Sequence, residues 1–213
     1  MSSLTEEIIA SRDWRARELE TLKRFCIVKF KSDSDAIKEQ YFRMCVPYIY
    51  AHWEGFIVES FKLLMDFLNN QKLSYQDVTI ELDTFSQKES IKPLAGKQSF
   101  TQCVTFIKKF REGYISNFYI TSGCFTTKSN LNFEQLCVIF SWFGLKNDSI
   151  IDYKTLINKL VYQRNRIAHG ERGITISLND INNFVLKLIE LYDEITKLID
   201  DYVSNRKYIN QAC

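Results

Sequence analysis

Proline and glycine are scarce, with 2 Pro and 7 Gly in 213 residues. A fold made of many short strands needs donor-free and positive-φ positions at its turns, so this count argues against an all-β sandwich or barrel. Long helices are the natural alternative. Cysteine pairs are also missing: Cys26, Cys45, Cys103, Cys124, Cys137 and Cys213 are scattered, with no CxxC and no regular spacing. That pattern speaks for reduced core residues rather than a disulfide framework or a zinc site. No run approaches the roughly 18 apolar residues of a membrane span, and acidic side chains stand where a secretory signal has its apolar stretch. The reading is a cytoplasmic protein with no membrane association. No charge of one sign prevails, since 28 basic side chains face 26 acidic ones for a net +2. Without a global cationic field, any contact with nucleic acid has to be local.

What is there is helical periodicity. With 46% hydrophobic residues, the chain has enough apolar surface for one packed core. Leu4, Ile8, more loosely Trp14, then Leu19, Leu22, Phe25 and Cys26 recur near helical spacing up to about Phe30. The polar break Lys31-Ser-Asp-Ser-Asp precedes a longer helical stretch reaching about Asn70, in which Pro47 predicts a kink or a restart. Its part from Ala51 to Leu68 is apolar nearly all round and belongs in the middle of the molecule. The stretch from about Lys72 to Gly96 loses its period and is expected to be irregular, with one short helix. Helices are predicted again from Ser99 to Tyr114, from an Asn132 cap to Gly144, and from Ile151 to His169, with Gly170 just beyond. Ser177 and Asp180 then suggest a capping arrangement for a last helix with a three-four apolar rhythm from Ile181 to Tyr202. The expectation is an all-α, up-and-down bundle of about five to seven helices in a single domain, 1–213. Within it, 72–129 is an irregular or inserted region and 205–213 a tail.

Only two histidines, His52 and His169, are available for acid–base work. His169 closes the segment Arg164-Asn165-Arg166-Ile167-Ala168-His169-Gly170. On a regular helix Tyr153, Leu156, Ile157, Leu160, Ile167 and Ala168 form one apolar stripe, and Arg164 projects from its centre. A buried, unpaired guanidinium costs several kcal/mol, so Arg164 must meet a carboxylate or a phosphate, or that face must be solvated. Asn165 and His169 stack one turn apart, whereas Arg164 and His169 diverge by about 140°. Either the helix distorts near Gly170, or the same segment of a second chain completes a symmetric cleft. Histidine can take or give a proton, arginine can stabilise charge on a phosphorane, and asparagine can orient either one. These residue types suit RNA transesterification without a metal or other cofactor. By spacing alone they also suit a plain helix end with a salt-bridged arginine.

The string Arg164-Asn165-x-x-x-His169 resembles the R-x4-6-H motif of the HEPN superfamily, and Tyr50-Ala51-His52-Trp53-Glu54-Gly55-Phe56 resembles a signature of its RiboL-PSP-HEPN subgroup. The likeness extends over roughly residues 12 to 200 and has two separated motifs in order. It implies an all-α HEPN-type bundle, a homodimer with the motifs at its interface, and metal-independent endoribonuclease activity in defence or toxin–antitoxin settings. Single-stranded RNA or a tRNA loop is the expected substrate, since a shallow cleft between two copies reaches splayed nucleotides more easily than paired ones, and an antitoxin or regulatory protein is a further partner. Carried over, Arg164, Asn165 and His169 are the catalytic residues, with His169 the acid–base group and Arg164 the phosphate stabiliser. HEPN domains also include noncatalytic RNA-binding and interaction modules, so likeness alone leaves that alternative standing.

His52 and Glu54, two apart on one helix, point in different directions and make no obvious dyad or metal pair. One reading has Glu54 pairing with Arg164 or another interface cation, with His52 supporting it from behind. The other takes the segment as a helix-packing signature in which Gly55 admits a close neighbour. Trp53, Phe56 and Phe61 are read as core. Lys108, Lys109 and Arg111 could contact RNA backbone or simply form a solvated helix face.

Overall fold

The computed structural model describes residues 3–30, 35–92, 96–97, 99–113, 117–128 and 130–210. Among them the chain is all-α: α1 (Ser3–Lys29), α2 (Asp35–Asn70), α3 (Ile80–Ser86), the single turn α4 (Lys88–Ile91), α5 (Phe100–Gly113), α6 (Phe133–Trp142), α7 (Lys154–Ala168) and α8 (Leu178–Ser204). Short 3-10 turns stand at Ser122–Cys124 and Asp148–Tyr153, and the only β pairing among the described residues is two isolated bridges. The break at 31–34, Pro93, Tyr114 and Cys213 lie outside the described residues.

Helix starts and stops follow local chemistry. Asn132 accepts from the Gln135 amide at 2.8 Å and opens α6. Ser177 and Asp180 form a reciprocal capping box that opens α8. Gly144 takes φ +65° after α6, a conformation that costs a side-chain-bearing residue more than glycine. Pro47 does not restart the chain, because α2 runs through it unbroken. Proline costs a helix interior about 3 kcal/mol. The side chains around it, Cys45, Val46, Ile49 and Tyr50, are nearly fully buried, and burial of each such group contributes about 1.5–3 kcal/mol.

The core lies where α1, α2 and α8 pack together, with α7 laid against α2. Trp53, Phe56 and Phe61 are fully buried, and the Phe56 ring stands 4.3 Å from that of Tyr192 on α8. A second aromatic cluster, in which Phe85 stacks on Trp142 and Phe61 meets Phe143, binds α3 and α6 to the same core. Residues 205–210, expected as a tail, fold back instead: Asn210 donates to the Asp77 carbonyl and Thr79 to that of Tyr208. Cys26, Cys45, Cys103, Cys124 and Cys137 are free thiols, three of them buried. No helix among the described residues is long and apolar enough to cross a membrane.

Candidate active site at the end of helix α7

The apolar residues of α7, Ile157, Leu160 and Val161, are buried, and this face turns towards α2. Arg164 follows one turn after Leu160 and stays half-buried. Its guanidinium lies over the Tyr50 ring, 4.1 Å from the centroid, and donates to Asn165 Oδ1 at 2.9 Å. The cation on the apolar stripe is therefore met by an aromatic face and an amide oxygen, both of which stabilise positive charge. Burial, with the Glu54 carboxylate nearby, pushes the Tyr50 phenol up to about 12, although Arg164 and the Leu131 amide pull the other way. Tyr50 thus remains a neutral platform at working pH, and its hydroxyl accepts from Leu131 N–H at 2.8 Å.

Asn165 carries the link outwards. Its Nδ2 donates to Asn130 Oδ1 at 3.0 Å, so the amide is held between the arginine and the segment before α6. The helix then ends without distortion. Gly170 takes φ +72°, its amide donates to the Ile167 carbonyl, and the Glu171 amide donates back to that of Arg166. This is a Schellman arrangement, in which backbone groups satisfy the last carbonyls and the side chain at the cap is left free of structural duty. That residue is His169. Its imidazole is exposed and makes no hydrogen bond to any described residue.

Arg43 of α2 fixes what comes next, donating to the carbonyls of Glu171 at 2.7 Å and Ile174 at 3.2 Å. Glu171 thereby meets two arginines just past the helix end, Arg43 through its carbonyl and Arg166 through its carboxylate. A cavity of about 780 Å³ between α1 and α2, lined by Trp14, Phe25, Tyr41 and Met44 among others, includes none of the motif residues. No three His, Cys, Asp or Glu side chains among the described residues converge where they could hold a metal ion.

The two residues of the second motif part company. Glu54 accepts from Thr127 Oγ1 at 2.7 Å and lies on the Tyr50 side of α2. His52 is buried on the α1 side, its Nε2 3.3 Å from Glu18 Oε2, its ring against Tyr48 and Trp14. Gly55 does admit a close neighbour: a Cβ there would stand 3.0 Å from Nη2 of Arg15, a buried cation paired with Glu59 and Ser11. Lys108, Lys109 and Arg111 are exposed on α5, which packs only marginally on other helices, and no hydrogen bond of Asn165 or His169 involves them. Tyr50, Asn130 and Arg43 were not picked out by spacing. Tyr50 heads the second motif, while Asn130 and Arg43 carry no periodic signal.

Burial holds the His52 imidazole below its ordinary value; Glu18 opposes this and Arg15 adds to it. Below about pH 6.5 the unfolded chain therefore takes up a proton that the folded chain resists, and stability falls as the pH drops. His52→Phe removes that contribution. Urea midpoints of the wild type should decline between about pH 7.5 and about pH 5 by more than those of the variant; parallel declines would show that His52 is not responsible.

The profile of the RiboL-PSP-HEPN family matches residues 10–201. No curated protein and no solved structure matches the chain.

Proposed function

The chain belongs to the RiboL-PSP-HEPN family, and from that premise we propose that it is a metal-independent endoribonuclease whose site is the α7 terminus, shared between two copies of the chain. The observation that carries this reading is His169, an exposed imidazole at a helix end capped entirely by backbone, one turn beyond Asn165, which is held by Asn130 and itself accepts from the Arg164 that rests on Tyr50. In single-stranded or loop RNA the 2′-oxygen bonds to phosphorus as its proton passes to an imidazole. The bond to the 5′-oxygen breaks as that oxygen receives a proton, leaving a 2′,3′-cyclic phosphate and a 5′-hydroxyl. One chain supplies a single histidine here. A two-fold pairing of α7 ends supplies two, one as base and one as acid, with guanidiniums for the charge on the phosphorane. Unstacked RNA, a tRNA loop included, reaches such an open surface more readily than a duplex. The setting is defence or a toxin–antitoxin pair, with an antitoxin or regulatory protein as partner.

A second reading, a noncatalytic RNA-binding or protein-interaction dimer, draws on one feature: Arg164 is already engaged by Tyr50 and Asn165 and leaves the helix about 140° away from His169. The products separate the two. Total RNA incubated with purified protein should yield fragments ending in cyclic phosphate, in excess chelator as well as without it. Intact RNA, or fragments ending in 3′-hydroxyl, would overturn the ribonuclease reading.

A further inference from the structure

Tyr162 is an aromatic residue with 58% of its surface exposed, on a helix whose other large apolar groups are buried or half-buried. Its side chain is nevertheless tethered. The hydroxyl accepts from Arg166 Nη1 at 2.8 Å, Arg166 Nε donates to Glu171 Oε2 at 2.5 Å, and the guanidinium carbon stands 5.3 Å from the ring centroid. Tyr162 precedes His169 by seven residues, about 20° short of two full turns and about 10 Å along the axis. Asn165 and Arg166 fall within about 60° on either side. The exposed ring, the amide, the tethered cation and the free imidazole therefore share one strip of α7.

We infer that Tyr162 is a base-stacking residue, its ring receiving an unstacked nucleobase of single-stranded RNA adjacent to the linkage held at His169. This rests on the ribonuclease reading above, and it adds a residue that holds a splayed base to the open surface by which that reading already favours unstacked RNA. Every base has a π-face, so a tethered ring holds a splayed nucleotide without reading its sequence. A paired base keeps both faces in the helical stack and has none to offer. Arg166, itself paired with Glu171, holds the ring in place through the tyrosine hydroxyl. The anchoring also lowers the entropy that an exposed side chain would lose on binding.

The test uses a fluorescently labelled single-stranded oligoribonucleotide and the full chain carrying His169→Ala, so that binding is measured without turnover. Adding Tyr162→Ala or Tyr162→Leu should weaken binding about ten- to a hundredfold, and Tyr162→Trp should restore it. A duplex of the same sequence should bind with no dependence on residue 162. Affinity in the alanine and leucine variants equal to that of the His169→Ala protein with Tyr162 intact overturns the inference, and so does a change in their oligomeric mass, which would make Tyr162 a contact between copies instead. The ribonuclease reading fails separately: a wild type that cuts nothing yet binds RNA through Tyr162 removes the chemistry and leaves the platform.

Discussion

His169→Ala is expected to lower the rate of RNA cleavage by about a thousandfold or more while leaving the thermal midpoint within a degree or two of the wild type. A positioned acid–base group contributes about 10²–10⁴ in rate, and in a paired site each substitution removes two such groups at once. The stability half of the expectation follows from the cap. Gly170 and the amide of Glu171 close α7, so no hydrogen bond among the described residues leans on the imidazole. Arg164→Ala should behave differently. It should lose comparable activity, because phosphorane charge goes unanswered, but it also strips the cation from Tyr50 and a donor from Asn165, at a cost of about 1–2 kcal/mol in stability. Arg164→Lys keeps the charge without the planar fork and should fall between the two. Single-turnover cleavage and urea denaturation on the same preparations measure both quantities. An active His169→Ala protein would remove the mechanism.

The second large effect is on folding. Trp53→Ala is expected to cost about 3–5 kcal/mol, against about 5–15 kcal/mol for a typical domain, so the variant should be marginal or unfolded at 37 °C. Trp53 is fully buried at the centre of α2 and its Nε1 donates to the Leu131 carbonyl at 3.0 Å. Trp53→Phe isolates that bond. It keeps most of the apolar bulk and leaves a carbonyl without its partner, which costs about 1–3 kcal/mol. The effect should extend to the site, since Leu131 is also held by Tyr50 and is next to Asn130, which orients Asn165. Chemical denaturation gives the stability change, and the Asn165 side-chain amide resonances report the second effect. A Trp53→Phe protein with unchanged Asn165 resonances would show that the segment is held without it.

The segment Tyr50–Phe56 around Trp53 therefore serves mainly to pack α2 against its neighbours. Four of its residues go three ways: His52 and Gly55 to Glu18 and Arg15 on α1, Trp53 into the core, and Glu54 to Thr127. Tyr50, at its head, is the member that touches the α7 motif. Seven residues inside two turns of helix necessarily point all round it, so spacing could place them on α2 without saying which neighbour each would meet. Pro47 illustrates the same limit. Its local cost was evident, and the burial that outweighs it depends on helices elsewhere in the chain.

Determined by the sequence alone were the helical class, the buried strip of α8, and the ends of helices at Asn132, Gly144, Gly170 and Ser177. These rest on hydrogen bonds and apolar contacts between residues a few places apart, which a periodic pattern records directly. Only the tertiary structure decided that Arg164 rests on Tyr50, that Asn130 orients Asn165, and that Arg43 fixes the turn after His169. Those contacts join residues 35 to 128 places apart or cross between helices. Their partners are selected by which faces pack together, a choice made by the whole core and written in no single stretch of the chain.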